Sequence, residues 1–214
     1  MLLSTAHFPP IQYFCKIINL KEFAIESCEN LQKQSYRNRH KVLAANGPID
    51  LTVPLHKGRS PGQLIKDVRL DYSESWNKTH RKTILSAYNH SPFYEYYIDD
   101  ILPYWEKQWK YLYDYNYEIL MTLFDLLDLN IRILDTTEYT APISNNDLRI
   151  LIHPKKSLDL DPEFKPQVYT QNFSDRHGFF ANLSILDLLF QTGPEAVKII
   201  KDSVVKSKDS VLRK

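Results

Sequence analysis

An α/β fold, a mixed sheet with a β-hairpin flanked by helices, is predicted by three features. Short apolar runs open the chain, a period-two stretch follows Asn46-Gly47, and helical spacing takes over from Ser73. Leu2 to Thr5 reads as a short buried strand. Pro9-Pro10 breaks it, and Ile11 to Leu20 can then form a helix. Phe23 to Glu26 is a second strand. Lys41 to Ala45 and Ile49 to Pro54 form the hairpin, because Asn46 and Gly47 both tolerate the positive φ of a type I′ turn. Beyond it Ile49, Leu51, Val53 and Leu55 alternate with Asp50, Thr52 and Pro54, the pattern of a half-buried strand. A breaker-rich loop, Gly58-Arg59-Ser60-Pro61-Gly62, leads to another alternating run, Asp67 to Leu70.

The helical half follows. Trp76, His80, Thr83, Ile84 and Ala87 fall on one face, with Ser73 or Ser75 as N-cap. Pro92 separates this helix from one reaching Leu102, and after Pro103 the spacing of Trp105, Trp109, Leu112, Ile119, Leu123 and Leu126 predicts one long amphipathic helix. Asn130 to Leu134 returns to the sheet, residues 135–150 are polar loop, and Pro154, Pro162 and Pro166 mark an irregular connection. Leu183 to Gln191 is a last core helix closed by Gly193, and Pro194 begins another at its first position. A Rossmann-like core is compatible with this order. Ligands of open α/β sheets lie beyond the carboxyl ends of the strands, which places the loop Ala6 to Pro10 at a mouth.

With 214 residues, 43% of them hydrophobic, one domain over residues 1–200 can bury its own core, while residues 201–214 form a basic tail too poor in apolar groups to pack. Lys and Arg (27) nearly cancel Asp and Glu (26), so no global field draws the chain to nucleic acid or membrane, and anion recognition must be local. The partner this implies is a small anionic or nucleotide-activated metabolite. Five glycines and no GxGxxG or Walker pattern argue against the usual phosphate loops. Two cysteines without a CxxC, and no HxxxH or HExxH, give no zinc module, no metal site and no implied cofactor. No apolar stretch approaches the roughly 18 residues of a membrane span and no signal pattern opens the chain, so a cytoplasmic location without membrane insertion is expected. The oligomeric state stays open.

Chemistry concentrates in Gln32 to Leu55, where Lys33, Arg37, Arg39 and Lys41 enter a rigid hairpin and can hold a fixed anion. His7 follows the first strand, where an imidazole can act as general acid or base. His80 lies one turn after Trp76 on an apolar face, so burial would govern its protonation. His177, Asn182, Ser184 and Asp187 gather an imidazole, an amide, a hydroxyl and a carboxylate. Without a GxSxG elbow, Ser184 reads as the cap of the helix starting at Ile185, not as a nucleophile.

Together with Trp76…His80, Ser91 to Tyr97 and Phe180 to Leu189, the Gln32 to Leu55 stretch resembles the WbqC-like family over about residues 2 to 200. That family is bacterial and takes its name from a member in an O-antigen gene cluster. It has no settled activity, so the resemblance implies a setting, surface-polysaccharide biosynthesis, more than a reaction. Lys33 with Asn38-Arg39 keeps the family's spacing; Gln12 stands where a glycine is common, and Cys28-Glu29-Asn30 replaces an Asp-Asp-Val-Gln run. The candidate catalytic residues are His7, His80 and Lys33; the candidate substrate-binding residues are Gln32, Asn38, Arg39, Trp76, His177, Asn182 and Asp187. Lys33, Asn38, Arg39, His7 and His80 are expected to converge on one cleft. The function expected is group transfer to or from an activated sugar or small anion. A non-catalytic ligand- or protein-binding module with a tyrosine-rich surface is the alternative.

Overall fold

The computed structural model describes residues 1–56, 62–143 and 147–205. It shows an α/β protein in which parallel and antiparallel pairing occur in separate sheets. Strands β1 (Leu2–Leu3), β2 (Glu22–Ile25) and β5 (Arg132–Asp135) form a parallel sheet with β2 in the middle, Leu3 opposite Ile25 and Ile25 opposite Asp135. Strands β3 (Arg39–Ala44) and β4 (Gly47–Thr52) form the hairpin. Its turn falls one residue earlier than the Asn46-Gly47 motif predicts. Ala44 pairs with Gly47, so Ala45 and Asn46 make the connection, and only Gly47 takes a positive φ, +106°. A type I′ turn on Asn46-Gly47 is thereby excluded.

Helix α1 (Ile11–Ile17) is buried along its whole length. This requires its polar groups to be paired inside: Lys16 Nζ lies 2.6 Å from Asp161 and 3.0 Å from Glu163, and Gln12 Nε2 donates to Asp161 at 2.7 Å. Helix α2 (Trp76–Tyr88) buries Trp76, His80, Ile84 and Ala87, four of the five residues the spacing set on one face. Ser75 precedes it but makes no side-chain cap bond. Helix α3 (Tyr94–Ile101) follows Pro92 as expected.

The single long helix after Pro103 is corrected to two, α4 (Pro103–Glu106) and α5 (Leu112–Leu126). Between them the chain is needed elsewhere: Leu70 N–H donates to Lys110 O, Leu112 N–H to Val68 O, and Arg69 bridges Tyr111. The same contacts correct the predicted strand Asp67 to Leu70. Val68 and Leu70 are buried in alternation, but Ile65–Asp67 is a short 3₁₀ turn and the remaining pairing is limited to isolated bridges.

Two short helices unmarked by sequence spacing appear, α6 (Leu148–Leu151), capped by Asp147, and α7 (Ser174–His177). In α8 (Ile185–Thr192) the Ser184 hydroxyl accepts from Leu186 N–H, the capping role expected of it. Gly193 follows at φ +55°, and α9 (Ala196–Asp202) closes the described fold. Val204 still bridges Phe164, so the ordered chain enters the segment expected to be tail; residues 206–214, and the loop core Gly58 to Pro61, lie outside the described residues. No helix among the described residues is long and apolar enough to cross a membrane.

Candidate active site

Three imidazoles from three separate segments meet in the interior. His7 comes from the loop after β1, held where its N–H donates to Tyr36 O at 2.8 Å. His40 is the second residue of β3, and strand alternation turns it inward with Val42 while Arg39 and Lys41 face outward. His80 comes from α2, one turn beyond Trp76. The His7 and His40 Nδ1 atoms are 3.0 Å apart, and the His7–His80 and His40–His80 ring centroids are 6.0 and 5.8 Å apart. Trp76 packs 5.0 Å from His80, and Tyr115 5.4 Å from His7. Exposure is 0, 1 and 3% for His7, His40 and His80.

Burial lowers the pKa of all three. In His7 the neighbouring His40 and His80 add to it, in His40 the neighbour is His80, and His80 itself falls to about 4, with its bond to the Thr52 backbone opposing. At neutral pH the cluster is therefore uncharged. A neutral Nδ1···Nδ1 bond needs one ring protonated at Nδ1 and the other bare there. Whichever way it is arranged, the first ring then has a bare Nε2 and the second an Nε2–H. The pair thus offers one base and one acid, and both Nε2 atoms, like His80 Nδ1, lack a hydrogen-bond partner. Among the described residues no group of His, Cys, Asp or Glu is arranged to hold a metal ion.

The structure brings His7, His80 and Trp76 together, and adds His40. The remaining candidates disperse. Lys33 is exposed in the turn before the hairpin, and Gln32 Oε1 accepts from Arg37 Nη1 at 3.3 Å. Asn38 Nδ2 donates to Val53 O at 2.9 Å. Arg39 reaches Asp50 at 3.4 Å on the face of the strand opposite His40. His177 Nε2 sits 2.9 Å from Ala45 O at the hairpin tip. Asn182 is engaged with α1, its Oδ1 accepting from Gln12 N–H at 2.8 Å. Asp187 accepts from the hydroxyls of Tyr88 (2.8 Å) and Tyr169 (2.5 Å) and from Gln171; burial pushes its pKa up to about 6 against those bonds.

The loop Ala6 to Pro10 does follow the carboxyl end of β1, but ion pairs close that end. Arg37 is buried, with two bonds to Glu29 at 2.7 and 2.5 Å and one to Ser4 Oγ at 2.6 Å. Arg149 lies 3.2 Å from Glu26 and 2.7 Å from Asp147. The cleft between Ser4, Tyr13, Tyr36 and Ile152 holds about 10 Å³, space for no more than a single water. A roomier groove, about 410 Å³, opens between β4 and the start of α2, and His80 lines it.

Fold and site define an α/β protein with a buried, neutral histidine cluster beside a surface groove. The model of the WbqC-like protein family matches residues 5–162, and the chain belongs to that family. The match takes in His7, Lys33, His40, Trp76 and His80 and ends before His177, Asn182 and Asp187. No curated protein and no solved structure matches the chain.

Proposed function

We propose that this protein is a cytoplasmic transferase of bacterial surface-polysaccharide biosynthesis, moving a group to or from an activated sugar or small anionic metabolite. The observation that carries the reading is the His7–His40–His80 cluster: three neutral imidazoles with unpartnered ring nitrogens, one of them lining a groove. Burying such nitrogens without a partner costs free energy, and an acid–base role is one reason for a fold to carry that cost. In the reaction a bare imidazole nitrogen takes the proton of an acceptor hydroxyl or amine as its oxygen or nitrogen forms the new bond. The bond to the leaving group breaks with its electron pair, and an N–H of the cluster returns a proton to it. The WbqC-like family membership supports the pathway.

The test is a ligand and turnover screen with nucleotide sugars, acyl-coenzyme A and amino acids, repeated on His7→Gln and His40→Gln. Loss of an acid or base lowers turnover by about 10²-fold or more. Variants that fold and turn over at the native rate would refute the reading. The alternative, a non-catalytic binding module, is favoured by the exposed aromatic rings of Tyr96 (77%) and Tyr139 (55%). It is distinguished by histidine variants that lose stability while ligand binding persists.

A further inference from the structure

We infer that the groove between β4 and the start of α2 is a binding subsite for a neutral, hydroxyl-rich ring, the acceptor in the reaction proposed above, on which the assignment of that role rests. The groove's 410 Å³ falls within the roughly 300–1,000 Å³ typical of small-molecule sites. Asp50, Thr52, Glu74, Trp76, Thr79 and His80 line it.

The donor and acceptor balance of that lining selects the ligand. Asp50 and Glu74 carboxylates only accept, the Thr52 and Thr79 hydroxyls both donate and accept, and His80 keeps one ring nitrogen, Nδ1, without a partner although it is only 3% exposed. A sulfate or carboxylate ligand can only accept, and would set its charge against Glu74, the carboxylate of the lining that has no cation beside it; Asp50 is already balanced by Arg39 and Lys41. A sugar hydroxyl donates to the carboxylates and accepts from the threonines. Asp50 is also fixed in advance, 3.4 Å from Arg39 and 3.2 Å from Lys41, so part of the site is pre-ordered. Glu74 is exposed and has no ion pair among the described residues, so its carboxylate is left to accept from a ligand.

Two features pull the other way. Arg39 and Lys41 stand beside the groove at Asp50, and helix α2 begins here without a side-chain cap, so that the free N–H groups of a helix start favour an anion. The Glu74 carboxylate opposes that preference, and hydroxyl oxygens can take up the same N–H groups without repulsion. His80 lines this wall and packs against His7 and His40, which sets the groove beside the buried imidazoles.

The probes are glucose and glucuronate, which share a ring and differ by one carboxylate, followed by saturation-transfer NMR on the full chain. Glucose should give saturation transfer, with glucuronate binding about tenfold more weakly or worse, equivalent to roughly 1.4 kcal/mol. Thr79→Trp fills the groove from an exposed position and should abolish the glucose signal while circular dichroism stays native; Glu74→Gln should narrow the preference over glucuronate. Equal or stronger binding of glucuronate, a glucose signal that survives Thr79→Trp, or no glucose signal at all would overturn the subsite. His7→Gln and His40→Gln separate it from the catalytic reading. Those variants should keep glucose binding while losing turnover, so a groove that fails to bind glucose leaves the histidine result standing, and an inert histidine pair leaves the groove.

Discussion

Mild acid should destabilise this protein through its histidines, and His80 allows the size to be worked out. A histidine free in the unfolded chain titrates near 6.5, whereas burial holds His80 near 4 in the fold. Between those values the unfolded state binds more protons, so stability is complete above about pH 6.5 and is lost progressively as the pH falls toward 4. The full difference is roughly 3 kcal/mol, of which about 2 kcal/mol is gone by about pH 5. His7 and His40 are shifted in the same direction and add to the loss. Asp187 works against it. Its carboxyl, raised to about 6, binds protons more readily in the fold, and it returns on the order of 1 kcal/mol over the same range. The decisive measurement is therefore a difference: urea unfolding of the native chain and of His80→Gln at about pH 7.5 and about pH 5, where the Asp187 contribution cancels. The variant should show a pH-dependent loss smaller by about 2 kcal/mol, or roughly 4–8 °C in a parallel melting experiment. Identical pH dependence in the two proteins would refute the claim that His80 is buried and neutral.

Two further substitutions probe the frame that holds the cluster. Gly193→Ala would place a Cβ 2.5 Å from the Phe93 ring at a φ of +55°, so overpacking and left-handed strain should together cost about 3 kcal/mol in denaturant unfolding; a loss below about 1 kcal/mol would show that Phe93 moves aside freely. Asp161→Ala should destabilise by roughly 3 kcal/mol or more, because Lys16 is left buried with only the half-exposed Glu163 as an ionic partner; near-native stability would mean that Lys16 reaches water instead.

The α/β class was legible because it rests on periodicity, and periodicity is local. Trp76, His80, Ile84 and Ala87 share the buried face of α2 just as their spacing requires. The failures sit where distant backbone intervenes. Nothing in the spacing of Trp105 to Leu126 betrays that Lys110 must accept a bond from Leu70 N–H, so the break between α4 and α5 is a tertiary decision. The hairpin shows the same limit at smaller scale: Asn46-Gly47 marks the turn, but the pairing of Ala44 with Gly47 sets the register one residue away.

Site legibility divides by the same principle. His80 and His7 were recognisable because each lies on or beside an element whose inward face can be read, while His40 was overlooked inside a run of cations, Arg37 to Lys41, that draws attention to its charge. Alternation would have found it. Once β3 is accepted as a strand with Val42 inside, His40 two residues earlier must also face inward, and Arg39 and Lys41 must face out. Of the residues expected in a single cleft, His7 and His80 meet inside, while alternation turns Arg39 to the outer face and Lys33 is exposed in the turn before the strand. What the alternation builds instead is a division of labour across one hairpin. Arg39 and Lys41 anchor Asp50 on the outer face beside the groove, and His40 joins His7 on the inner face. His80, bonded to the Thr52 backbone, lines the groove and packs against both inner imidazoles. It is the side chain through which events in the groove and the protonation of the buried pair can be joined.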